Sequence, residues 1–103
     1  VLMQLLCRYF PSRVVSIHQP VACIDYDGPA EELAAAMAEK CPLPVKQLGS
    51  RPGSMGAYVG ETLGTPIITV ELRATDSSLS TDELWAKYGR ALVAAIVHPE
   101  VLY

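Results

Sequence analysis

The chain is 103 residues long, half of them hydrophobic, with eight basic against eleven acidic residues, a net charge of -3 and a pI near 5.2. That length supports one modest core, and the scattered Lys and Arg exclude the clustered positive footprint that nucleic acid requires. No apolar run approaches the roughly 20 residues of a membrane span, and no charged segment leading into an apolar one opens the chain.

Residues 1–10 carry a helical pattern, with Leu2, Leu5, Leu6 and Tyr9 on one face and no capping residue ahead of them, so the helix reads as entered midway. Pro11-Ser12 closes it, and residues 13–18 read as a short buried strand rich in β-branched side chains. Asp25-Tyr26-Asp27-Gly28-Pro29 reads as a turn feeding a helix near Pro29, with Glu31 and Glu32 in its first turn. Leu33, Ala34, Met37, Ala38 and Cys41 form the buried stripe of that helix, and Pro42 stops it. Residues 44–48 follow as a strand and Gly49-Ser50-Arg51-Pro52-Gly53 as a loop. Ser54 caps a helix that runs to about Leu63 and closes at Gly64. Residues 65–72 form the next strand and 74–78 a polar surface loop. Ser80-Thr81-Asp82-Glu83 is a capping box opening a last helix whose apolar face is Leu84, Trp85, Tyr88, Ala91, Leu92, Ala95 and Ile96, ended by Pro99. This alternation predicts a three-layer α/β fold, with a mixed, mainly parallel sheet and helices on both faces.

Glu71 lies inside the apolar run Pro66-Ile67-Ile68-Thr69-Val70-Glu71-Leu72, where a carboxylate is costly unless it meets a cation, a metal-bound water or a proton. His18 ends the strand Val14-Val15-Ser16-Ile17-His18, and ligands of open α/β sheets bind in the crevice outside the carboxyl ends of strands. A neutral imidazole there suits zinc. Each also has a plainer reading, His18 as a satisfied core or edge histidine and Glu71 as a buried carboxylate paired with an arginine or accepting backbone hydrogen bonds. The segment from Ser50 to Tyr58 offers a glycine loop, the cation Arg51 and a helix N-terminus at Ser54, which suit an anionic group or else make an ordinary capped loop. Asp25 and Asp27 serve either a substrate amine or the turn and cap. His98, at the end of the last helix, suits the helix dipole and is given no catalytic role. Cys7, Cys23 and Cys41 are odd in number, sit in apolar contexts and lack CxxC spacing, which reads as buried free thiols in a cytoplasmic protein.

The order Ser16-Ile17-His18, Pro52-Gly53-Ser54-Met55-Gly56 and Pro66 to Leu72 resembles the zinc carboxypeptidase superfamily. Ile17-His18-Gln19-Pro20-Val21-Ala22-Cys23-Ile24-Asp25, with the Pro-Gly-Ser and Thr-Val-Glu-Leu motifs, resembles more closely its bacterial murein peptide amidase (succinylglutamate desuccinylase-like) branch. The resemblance runs from about Arg13 to the last helix and implies the C-terminal half of the zinc carboxypeptidase fold. It implies His18 as the third ligand of a zinc cofactor whose other ligands lie upstream. It also implies Glu71 as the carboxylate that takes a proton from the attacking water and hands it to the leaving amine. The implied substrate is a small cell-wall peptide cut between γ-D-glutamate and diaminopimelate, with Gln19, Asp25, Arg51 and Ser54 as candidates to hold it. The family's His-x-x-Glu pair and Asn-Arg segment are missing, and Arg73 stands where the branch commonly has Pro. Residues 1–103 are therefore expected to be a single domain, a C-terminal portion of a larger catalytic domain that is inactive alone and self-associates through a flank left open by absent strands. Two other readings stand beside it. One is a non-enzymatic binding or dimerising module with half a peptidase fold, and the other is a small α/β domain whose His and Glu are structural.

Overall fold

Three strands and the helices around them follow one another along the chain, and the computed structural model describes residues 1–99. In order they are α1 (Leu2–Tyr9), β1 (Val14–His18), β2 (Val21–Asp27), α2 (Glu31–Ala38), a π-helix (Gly56–Thr62), β3 (Ile67–Arg73), a 3₁₀ turn (Ala74–Ser78) and α3 (Thr81–Val97). The sheet order is β1-β3-β2. β3 pairs parallel with β1 and antiparallel with β2, so the sheet is mixed rather than mainly parallel. The cause is local: the chain reverses at Gln19-Pro20 directly after β1 and returns as β2, leaving a slot that β3 fills between two strands of opposite direction.

β2 includes Asp25, Tyr26 and Asp27, which the sequence reads as part of a turn, and the turn begins only at Gly28, where φ is +67°. The strand expected over residues 44–48 reduces to one parallel bridge, Ile24 to Val45, held by hydrogen bonds from Ile24 N to Pro44 O (2.8 Å) and from Lys46 N to Ile24 O (3.0 Å). Pro42 and Pro44 lack the N–H groups that a longer ladder requires. α2 ends at Ala38, short of Cys41. β1 is an edge strand, not a buried one, and its last two residues are exposed.

As the central strand, β3 feeds apolar clusters on both faces. Ile68 and Val70 join Ile24 beneath Ala30, Leu33, Ala34 and Met37 of the α2 region and Tyr88, Ala91 and Ala95 of α3. Ile67 joins Leu6 of α1 and Val59 of the π-helix. Each large aliphatic side chain removed from water in this way contributes roughly 1.5–3 kcal/mol. Of the α1 face only Leu6 is buried, and α3 leaves Trp85 and Ile96 exposed although both belong to its expected apolar face. The capping box of α3 forms as expected, with Ser80 Oγ accepting from Glu83 N at 3.2 Å and Glu83 Oε1 accepting from Ser80 N at 3.1 Å.

The expected surface loop at residues 74–78 is instead a 3₁₀ turn that buries Asp76. Its carboxylate accepts from Arg73 N (2.9 Å), Lys87 Nζ (2.5 Å) and the Tyr88 hydroxyl, tying the end of β3 to α3. The Arg73 N–H used here is one that a proline at this position would lack.

Candidate active site

Side chains alternate across a strand, so the residues opposite the α2/α3 core share the other face of the sheet. On that face β1 places Ser16 and His18, β3 places Ile67, Thr69 and Glu71, and β2 places Cys23, Asp25 and Asp27. Register brings them into rows: His18 pairs with Glu71 across the parallel ladder, Cys23 with Glu71 across the antiparallel one, and Asp25 with Thr69. Neighbouring strands lie about 4.8 Å apart, so the imidazole and the carboxylate stand on adjacent strands of one face.

A cavity of about 280 Å³ opens over these rows, lined by His18, Glu71, Asp25 and Asp27 below and by the 49–56 segment, including Arg51 and Ser54, above. Glu71 is 8 % exposed, and its hydrogen bond among the described residues is a long one from Val21 N at 3.5 Å. Thr69 Oγ1 accepts from Ser16 Oγ at 3.2 Å, and Asp25 Oδ1 accepts from Leu48 N at 2.9 Å. Ser54 Oγ accepts from Ala57 N at 3.1 Å, the capping role its position suggested, while its residue also borders the cavity.

Gln19 stands apart from the other five candidates. It lies outside the cavity lining, and its Nε2 donates to Arg73 O at 3.1 Å, which fastens the β1–β2 turn to the end of β3. A residue in a reversal has its side chain aimed by the turn, and no sequence spacing encodes that aim.

Asp27, which the sequence left between a substrate amine and a turn or cap, lies on β2 and borders the cavity. The available signal was the period-two pattern Cys23, Asp25, Asp27 against Ile24, Tyr26, which marks a strand with one polar face. A second signal was the spacing of Gly56 and Gly60. The π-helix lays these glycines against Asp27 and Gly28, and a Cβ on Gly60 would stand 2.7 Å from Gly28 N and 2.8 Å from Asp27 C. Bare helix backbone thus forms the wall beside Asp27.

The electrostatics of this face are lopsided. Burial pushes the Asp27 carboxyl above its ordinary value, and the charges of Asp25 and Glu61 add to the rise, which Ser50 only partly relieves. Burial likewise raises the Cys23 thiol, with Asp25 and Glu71 adding to it, so Cys23 is an inert apolar group rather than a nucleophile. A catalytic zinc centre needs three protein ligands. Among the described residues no three His, Cys, Asp or Glu side chains converge on a metal position. His18 is exposed at a strand end on the cavity rim, and one imidazole does not make such a centre by itself.

No protein-family profile matches the chain. Over 89 residues, 84 % of this chain, it is 38 % identical to murein peptide amidase A of Escherichia coli strain K12, and equally so to that of Escherichia coli O157:H7. The crystal structure of a murein-tripeptide amidase from Escherichia coli O157 superposes on 97 % of the chain with a TM-score of 0.69 at 32 % identity. The chain spans about a third of the length of the curated relatives it matches (34 %) and 40 % of that crystallised chain. It resembles the murein peptide amidase branch over most of its own length and shares the mixed α/β fold of the part it matches.

Proposed function

We propose that this chain is the C-terminal portion of a zinc-dependent amidase domain acting on small peptides of the cell wall, with Glu71 as general base and His18 as one metal ligand. The observation that carries the reading is the register pairing of His18 with Glu71 on one polar sheet face, at the rim and floor of a single cavity. Zinc, when bound, supplies Lewis-acid polarisation of the scissile carbonyl and acidifies water. Glu71, on the central strand and largely shielded from solvent, takes the proton of the attacking water and returns it to the departing amine. Arg51, on the exposed loop over the cavity, offers a guanidinium to a substrate carboxylate. The bond cut is that between γ-D-glutamate and diaminopimelate. Of the three thiols expected to be buried only Cys23 is, Cys41 being half-buried and Cys7 exposed, and all three being free supports a cytoplasmic setting.

The test uses the longer protein that carries this segment. Glu71→Gln is expected to lower hydrolysis of a γ-D-glutamyl-diaminopimelate peptide by at least roughly 10²-fold with zinc content unchanged. His18→Ala is expected to lower zinc content, and the 103-residue chain alone to be inactive. Normal turnover by the Glu71→Gln protein removes the assignment.

A second reading, a self-associating module, is favoured by one surface. The outer edge of β1 pairs with no strand among the described residues, and beside it Val15, Ile17, Leu92, Ala95 and Ile96 line an open groove of about 560 Å³. Ile17 and Ile96 there are 55 % and 78 % exposed. Sedimentation decides: a monomer at all concentrations eliminates this reading, and a dilution-resistant dimer of the chain supports it.

A further inference from the structure

The turn that follows His18 is held by a side chain rather than by backbone. Val14 N donates to Pro66 O at 2.9 Å, so along β1 the N–H groups that face β3 are those of Val14, Ser16 and His18. The next in that series falls on Pro20, which has no N–H to donate. The outer side of β1 pairs with no strand among the described residues, and its last two residues are exposed. At this point Gln19 reaches across the sheet, and its Nε2 donates to Arg73 O at 3.1 Å. Gln19 is itself exposed and does not line the cavity.

That bond closes a short ring around the site. His18 stands opposite Glu71 in the parallel ladder, Gln19 is the residue after His18, and Arg73 lies two residues after Glu71. Across the turn, Val21 stands opposite Arg73, and its N–H makes the long contact to Glu71 Oε1 at 3.5 Å. One side-chain hydrogen bond thus spans a reversal that carries His18 at its start and a donor to Glu71 at its end. The acceptor is itself anchored. Arg73 N donates to Asp76, which also accepts from Lys87 and Tyr88 of α3, and Arg73 Nη2 donates to Pro42 O at 2.8 Å. Loss of the bond therefore frees the turn and the end of β1, not β3.

We propose that Gln19 is a positioning residue, which keeps His18 in register with Glu71 by clamping the β1–β2 turn to Arg73 O, and that it does not touch substrate. What His18 and Glu71 do rests on the amidase reading above, while the clamp is built wholly from this chain. A single neutral hydrogen bond bounds the expected effect at about tenfold.

The test compares two variants of the longer protein that carries this segment. Gln19→Met keeps the length of the side chain and removes the donor, and Gln19→Lys restores a donor of similar reach. For Gln19→Met, kcat on a γ-D-glutamyl-diaminopimelate peptide is expected to fall about three- to tenfold with KM unchanged. Amide hydrogen exchange at His18 is expected to quicken by a similar factor. Gln19→Lys is expected to recover part of both. A raised KM at unchanged kcat would make Gln19 a substrate contact and overturn the proposal. A lower melting temperature with kcat and His18 exchange intact would overturn it as well, since that is the mark of a merely structural bond. Should the wild-type protein fail to cleave the peptide, the amidase reading falls and exchange at His18 decides the clamp by itself: quickening in Gln19→Met keeps it, and unchanged exchange removes it.

Discussion

Asp76 and Asp27 are both nearly sealed from solvent, at 1 % and 7 % exposure, and the chain treats the two carboxylates in opposite ways. Burial pushes the Asp76 carboxyl up, but hydrogen bonds from Lys87, Tyr88 and the Arg73 backbone outweigh it, and the group ends below the usual aspartate range. Asp27 has burial and neighbouring negative charge without that set of donors, and ends above the range. One is a fastener between β3 and α3. The other borders the cavity. Burial alone therefore does not fix which way a carboxyl shifts; the count of donors around it does.

Four measurements break or sharpen that contrast. The largest effect is expected at Asp76→Ala, which leaves the Tyr88 hydroxyl, the Arg73 N–H and the Lys87 ammonium without their acceptor; urea denaturation is expected to show a loss of about 3 kcal/mol. A loss below about 1 kcal/mol would deny the fastener role. Next comes Gly60→Ala, whose added methyl meets backbone atoms of Asp27 and Gly28 that have little room to yield. It is expected to cost roughly 2 kcal/mol and to perturb the amide signals of β2.

Asp27→Asn changes sign. Removing a shielded, poorly solvated charge is expected to raise stability at neutral pH by about 1 kcal/mol, and a destabilisation of that size would mean Asp27 is satisfied after all. The smallest effect is the pH dependence of these differences. Folded Asp27 holds its proton more tightly than unfolded Asp27, so the stability it contributes is present below about pH 3.9 and is lost as pH rises through its raised folded value. For Asp76 the folded value is the lower one, so its stability is present above about pH 3.9 and is lost as pH falls through the folded value. Denaturation curves from pH 3 to 7 should show the gain from Asp27→Asn growing with pH and the loss from Asp76→Ala shrinking toward acid.

Much of the frame was legible without coordinates. The capping box at Ser80, the helix over residues 2–9 and the strand around Glu71 follow from local rules of capping and periodicity, and local rules act within one turn or one strand. The cavity was legible in part: five of the six candidate residues line it, because a strand end and a glycine loop are recognisable by type. The sixth, Gln19, depended on how a reversal aims its side chain. β2 was missed because Asp25 and Asp27 are turn formers by composition, and only pairing with β3 makes them strand. Asp76 was missed because its acceptor role depends on Lys87 and Tyr88, eleven and twelve residues away.

The sequence by itself determined the order and type of most elements, the apolar strand that carries Glu71 and the histidine that ends β1, since these rest on neighbours a few residues apart. Only the tertiary structure decided that β3 enters between β1 and β2, that His18 and Glu71 share one register, and that Asp27 is stranded among carboxylates while Asp76 is surrounded by donors. The physical reason is that pairing register and the number of donors around a buried charge are properties of segments brought together across tens of residues, and no local propensity encodes them.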